Sequence, residues 1–159
     1  MRLEYFQLID RIADLNLSER TIKVVATVPT ESTIFEGHFP GHPLMPGVLL
    51  GEAMAQTSGW LIIGLNNFAR MPFLAAMKDL KLRTFVQPGQ TLDLSAALVH
   101  EGSGFAMTKA QGRIDGKLVC DATITFRVVD FPNADMRGHM EALAKVIEFP
   151  VGATAHAKS

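Results

Sequence analysis

The chain has 159 residues, 48% apolar and 19% charged, with 15 basic against 16 acidic side chains and a net charge of −1. That is the length of one domain with a real core. It excludes a largely disordered chain and a strongly basic nucleic-acid binder. The single cysteine, Cys120, excludes an internal disulfide and a cysteine-rich zinc site. With an acid-bearing start, Met1-Arg2-Leu3-Glu4-Tyr5, that unlike a signal peptide has no long apolar run, it leads us to expect a cytoplasmic protein.

In chain order, Leu3, Phe6, Leu8, Ile9 and Ile12 are spaced as in a short helix or turn. Asn16 to Arg20 reads as a polar turn. Thr21 to Val28 is β-branched and roughly alternating, which predicts a strand. Glu31 to Gly47 holds Pro40, Pro43 and Pro46 with Gly37, Gly41 and Gly47, a density of breakers that predicts an ordered loop. Pro46-Gly47 ends it, and a long apolar helix is predicted to about Asn66. From Val48 to Leu65 the only charge is Glu52, so the stretch nearly meets the length of a membrane span. Glu52, Gln56, Thr57 and Ser58 argue instead for a helix buried in a soluble domain, apolar all round because protein surrounds it.

Phe73–Val86, Thr91–His100, Phe105–Arg113 and Leu118–Val129 read as four strands, separated by Gln87-Pro88-Gly89, Glu101-Gly102-Ser103-Gly104 and Asp115-Gly116. One all-apolar helix followed by a run of antiparallel strands is an α+β arrangement in which a curved sheet wraps the helix, the hot-dog fold. So long a helix leaves surface for a second sheet, and at least a dimer is expected. The hot-dog domain is expected over 1–130. Residues 131–159 form an extension, with Asn133 capping a helix that places Met136, Met140, Leu143 and Ile147 on one face, and a loose tail from Val151.

Three positions carry candidate chemistry. Glu52 is the one charge between Leu44 and Phe68. A carboxylate there needs a salt bridge, a loop amide or a crevice opening, or else it is a general acid whose pKa desolvation raises. His38 lies in a loop stiffened on both sides, as a catalytic group needs; His42 follows in the same loop, and spacing does not choose between them. The two histidines with Glu52 also count as a metal set, but no further acid or cysteine clusters with them, and no metal is expected. Gly47 opens the helix, where the first amides lack internal partners and carry the positive end of the dipole. It is either a tight turn or an oxyanion site for a thioester carbonyl. A base, an acid and an oxyanion site suit removal of a proton α to a carbonyl and expulsion of a β-hydroxyl.

Gly37-His38-Phe39-Pro40-Gly41-His42-Pro43-Leu44-Met45-Pro46-Gly47-Val48-Leu49, followed by Glu52-Ala53-Met54-Ala55-Gln56, resembles the signature of the FabZ-type β-hydroxyacyl-acyl-carrier-protein dehydratases. The resemblance extends to Phe73-Leu74-Ala75, Lys81-Leu82-Arg83, Gln87-Pro88-Gly89 and Asp115-Gly116-Lys117-Leu118-Val119, covering roughly Tyr5 to Val129. It implies a hot-dog fold working as dimers that often assemble into hexamers. His38 would be the base and Glu52, from the other subunit, the carboxylate that handles the hydroxyl; the Gly47 amide would bind the carbonyl. The implied reaction takes (3R)-3-hydroxyacyl carrier protein to trans-2-enoyl carrier protein and water, without a cofactor. Glutamate at position 52 resembles FabZ more than FabA. The stretch Leu3–Gln7 and the tail beyond Asp130 depart from the family pattern.

Phe39, Val48 and Phe73 are candidates to line the acyl chain. Lys78, Lys81, Arg83 and Arg127 are candidates for a basic rim that receives the acidic carrier protein. A hot-dog thioesterase and a non-catalytic acyl-carrier-binding subunit are the competing readings.

Overall fold

Six strands form one sheet in the order β1-β2-β4-β5-β6-β3, every neighbouring pair antiparallel. The computed structural model describes residues 1–150; the tail expected from Val151 lies outside the described residues. A 3-10 turn, Leu3–Tyr5, precedes β1 (Arg11–Asn16) and β2 (Thr21–Thr27). Helix α1 (Thr33–Gly37) and helix α2 (Gly47–Leu65) follow, then β3 (Arg70–Leu82), β4 (Thr91–Gly102), β5 (Phe105–Ile114), β6 (Lys117–Asp130) and helix α3 (Ala134–Val146).

The chain leaves β2 near one edge of the sheet and re-enters as β3 at the other. α2 makes that crossing, packing against β2 through β6. By length and composition it could span a membrane, yet most of it is buried by its own domain. Its polar side chains are accommodated: Ser58 Oγ lies 2.7 Å from Thr108 Oγ1 on β5, and Thr57 Oγ1 donates to Ala53 O at 2.9 Å. Leu61 and Met54 are fully buried, and truncating Leu61 to Ala would cost roughly 2–5 kcal/mol of stability. The arrangement is the expected hot-dog fold. The β5–β6 turn, Asp115-Gly116, has positive φ at both residues (50° and 79°), as a two-residue hairpin of matching twist requires.

Two elements differ in kind from the sequence reading. Ile12, expected in a helix or turn, lies on strand β1. Its buried residues are Ile12 and Leu15, three apart, because the pairing with β2 shifts register between Ile12 and Asp14. The bulge turns two residues three apart toward one face, so a strand imitates helical spacing. Inside the expected loop lies α1, five residues long, with the Ser32 side chain accepting from Ile34 N. The breakers crowd the segment after it, from Gly37 onward. β3 also begins earlier and ends earlier than expected, with irregularities between Leu74 and Ala76 and between Lys78 and Lys81.

At the other end, Asn133 caps α3 by accepting from Met136 N at 2.8 Å. Ala144 and Ile147 are buried, and Ile12 N donates to Ile147 O at 2.8 Å. Phe149 packs on Phe68 and Trp60, with ring centroids 5.2 and 6.0 Å apart. Residues 131–150 therefore fold back over the C-terminal half of α2.

Candidate active site

His38 stands where α1 ends, and the backbone around it is tied at every step. His38 N donates to Ile34 O, Phe39 N to His42 O, His42 N to Phe39 O and Leu44 N to His38 O, all at 2.9–3.1 Å. Met45 N reaches Val86 O at 2.7 Å, pinning the loop's far end beyond β3. The ring itself is held: Nδ1 lies 3.0 Å from Leu44 O. A carbonyl only accepts, so Nδ1 carries the proton, and in the neutral ring Nε2 keeps its lone pair. The Phe39 ring stacks on His38 at 4.1 Å between centroids. His42 is exposed, and its ring does not line the cavity beside His38. The structure thus distinguishes the two histidines that spacing left equal.

The cavity beside His38 has a volume of about 550 Å³ and is walled by Phe39, Gly47, Leu82, Arg83 and Phe85, among others. Gly47 opens α2 there, and no side chain caps that end of the helix. Its first amides are available to an electron-rich oxygen. A Cβ at Gly47 would come within 2.2 Å of Leu82 Cδ1, so glycine also permits the close approach of β3.

Glu52 lies elsewhere. Five residues along α2 rotate the side chain by about 140° from Gly47, and Glu52 lines a second cavity that His38 does not touch. Its Oε1 accepts from Gln56 Nε2 at 3.2 Å. Gln56 in turn donates to Phe6 O at 2.7 Å and accepts from Leu8 N at 3.1 Å. The half-buried carboxyl is thus oriented by a neighbour one turn on and opens into a crevice, one of the outcomes its position allowed. Gln56 is the residue whose part sequence reasoning did not isolate. The signal was its spacing of four from Glu52, which places both on one helix face.

Phe39 lines the His38 cavity, whereas Val48 stands exposed beside it. Phe73 lines neither cavity; its neighbours Pro72 and Leu74 line the Glu52 cavity, because alternate strand residues face opposite sides. Lys78 and Lys81 are exposed on β3, and Arg83 borders the His38 cavity with its Nε 2.7 Å from Asp121 Oδ2. Arg127 pairs with Phe73, some eight strand residues or about 25 Å from Lys81, so one chain does not gather these four cations into one rim. Among the described residues, no group of His, Cys, Asp and Glu gathers as a metal-ligating set. Burial pushes the Cys120 thiol up to about 11, which suits a packing residue and not a nucleophile.

A six-stranded antiparallel sheet wrapped around one long core helix defines the hot-dog class. A model of the FabA-like domain matches residues 2–123. The 3-hydroxyacyl-[acyl-carrier-protein] dehydratase FabZ of Lactiplantibacillus plantarum is 39% identical over 120 residues, covering 75% of this chain and 81% of that protein. The protein of the same name from Novosphingobium aromaticivorans is 37% identical over 126 residues, covering 77% and 79%. The chain belongs to the FabA-like family and falls with its FabZ 3-hydroxyacyl-[acyl-carrier-protein] dehydratases. Among solved structures, a hypothetical thioesterase from Streptococcus pneumoniae crystallised with coenzyme A superposes with a TM-score of 0.59 at 17% identity, covering 77% of this chain and 88% of that one. A conserved protein from Pseudomonas aeruginosa gives 0.62 at 21% identity, covering 79% and 91%. At such identities the likeness is one of fold.

Proposed function

We propose that the protein removes water from a (3R)-3-hydroxyacyl thioester on acyl carrier protein, giving the trans-2-enoyl thioester, at a site that two copies of the chain share. The observation that carries this reading is the separation of its parts. His38 and Gly47 wall one cavity while Glu52 opens into another. A second copy, presenting its Glu52 to the first copy's His38, completes the set.

The edge of the sheet supports such a pairing. β3 is 13 residues long and forms one edge. Phe73, Leu74 and Leu82 on it are exposed, as are Val48 and Phe85 at 75% each near the His38 cavity. An edge so long and apolar invites a second strand. Two copies joined there make a dimer, and further assembly of dimers into a hexamer belongs to the same reading.

In the shared site the Gly47 amide holds the thioester carbonyl and stabilises negative charge as it develops on that oxygen. The free Nε2 of His38 takes a proton from the α-carbon. Glu52, steadied through Oε1 by Gln56, acts as the general acid and gives a proton to the β-hydroxyl. The C–O bond breaks, water departs and the α,β double bond forms. The imidazolium proton returns through solvent to the carboxylate, so the protein ends as it began and no cofactor is consumed. The carrier protein approaches the His38 mouth, where Arg83, Lys81 and Lys78 lie on or just past the end of β3. A cytoplasmic location accords with this reaction.

Mass spectrometry of a 3-hydroxyacyl carrier-protein thioester incubated with the protein tests the reading. The expected result is loss of one water with the thioester intact, and no such loss with His38→Ala. Release of free acid would contradict it in favour of a thioesterase, and no conversion at any chain length would leave a binding role.

A further inference from the structure

The cavity that begins at Glu52 does not stop at the reacting carbons. It has a volume of about 490 Å³ and follows one face of α2 through Gln56, Gly59, Trp60 and Ile63. These positions recur every three or four residues, so they form a stripe roughly 16 Å long. Gly59 sits midway, with no side chain to fill the groove and only Pro72 Cγ in reach of an added Cβ, at 3.8 Å. Phe6 and Ile9 form one wall, and Pro72, Leu74 and Phe126 the other. Met140, Leu143 and Ile147 of α3 also face it. Arg2, Tyr5, Gln7 and, on α3, His139 also border it; the other lining residues beyond Glu52 and Gln56 are apolar.

The roof is unlike the rest. Residues 2–123 match the family, and α3 begins at Ala134. It is held firmly over the groove by burial of Ala144 and Ile147, by the Ile12–Ile147 hydrogen bond and by its Asn133 cap. We propose that the acyl chain of the substrate runs from Glu52 along this face of α2 and ends beneath α3, so that Met140 and Leu143 determine which chain lengths are accepted. This rests on the dehydratase reading for the placement of the thioester at Glu52. What it adds is that a segment outside the family match sets specificity by closing the groove. The occupant it commits to is an apolar chain continuous with the reacting centre, because the groove's far end offers dispersion and hydrophobic burial with few polar partners.

The experiment has two arms. In the first, kcat/KM is measured for 3-hydroxybutyryl, 3-hydroxyoctanoyl, 3-hydroxydodecanoyl and 3-hydroxyhexadecanoyl carrier-protein thioesters with wild type, Leu143→Phe and Leu143→Ala. Leu143→Phe should lower the dodecanoyl-to-butyryl ratio about tenfold, and Leu143→Ala should move the preferred length upward. Ratios within about twofold of wild type in both variants would overturn the proposal. The second arm needs no turnover. Trp60 is the chain's one tryptophan and lines the groove, so its emission reports occupancy. Saturable change on titration with dodecanoyl-pantetheine, weakened by Leu143→Phe, supports the proposal even if no water is lost and the dehydratase reading falls. Dehydration without any Trp60 response, and with unaltered ratios, would leave that reading standing and overturn this one.

Discussion

The two cavities along α2 are built by different means. Around His38, backbone does the work: amide-to-carbonyl bonds lock the loop, and Leu44 O fixes the ring's tautomer. Around Glu52, side chains and separate segments do it: Gln56 bridges the carboxyl to the N-terminal stretch, and α3 arrives from the far end of the sequence. The first construction suits a group whose geometry must not vary. The second suits a groove whose dimensions follow from side-chain size and can change while the chemistry is retained. A dehydratase needs both, and here they share a single helix on faces about 140° apart.

The largest effects should come from the reacting groups themselves. His38→Ala and Glu52→Gln should each lower kcat by about 10²–10⁴-fold, with circular dichroism and thermal melting little altered. Equal losses would place both cavities in one reaction; a loss at His38 alone would break the comparison.

A smaller loss is expected one step back from the chemistry. Gln56→Ala frees Glu52 Oε1 and also unties Phe6 and Leu8. Since Gln56 acts by positioning, kcat should fall about tenfold with KM nearly unchanged, and Gln56→Glu should not restore it, because a carboxylate cannot donate to Phe6 O. A rise in KM with kcat unchanged would mean that Gln56 only walls the groove and does not position Glu52.

Asn133→Ala removes the cap of α3 and should cost about 1 kcal/mol of stability, read by denaturant melting. Loosening the roof should affect long-chain substrates more than short ones, leaving the His38 loop untouched. A uniform change across chain lengths would detach α3 from specificity.

The smallest effect concerns the support of α1. Hydrogen bonds from the Ser32 hydroxyl first, then from backbone amides including Thr33, hold the Glu4 carboxyl down from the usual 4.5 to about 2. A carboxyl lowered on folding adds stability that is present above its unfolded pKa and is lost as pH falls from about 4.5 toward 2. Wild type and Glu4→Gln should therefore differ in melting temperature at neutral pH and converge as acid is added through that window. A constant gap would mean that Glu4 acts by packing.

Much of the His38 side was legible in the sequence because it is local. Prolines and glycines between Gly37 and Gly47 announce a rigid loop, and Pro46-Gly47 announces a helix start. The ring's tautomer was not legible, since it depends on where Leu44 O falls. On the Glu52 side the carboxyl and the apolar face of α3 were legible separately, but not that they meet. The groove there is assembled from segments more than a hundred residues apart, and no spacing rule joins Phe6 to Leu143. Phe73 lines neither cavity of the single chain while its neighbours Pro72 and Leu74 line that of Glu52, because one residue on a strand reverses the face. β1 was hidden by its own bulge.

The proposed active site takes His38 from one chain and Glu52 from another. The direct measurement is to unfold and refold His38→Ala and Glu52→Gln together, confirm mixed dimers by native mass spectrometry, and assay water loss. Each mixed dimer carries one site with both native groups and one with neither, so activity should recover to about a quarter of wild type when the chains mix equally. Verified mixed dimers with no more activity than either parent would contradict a shared site.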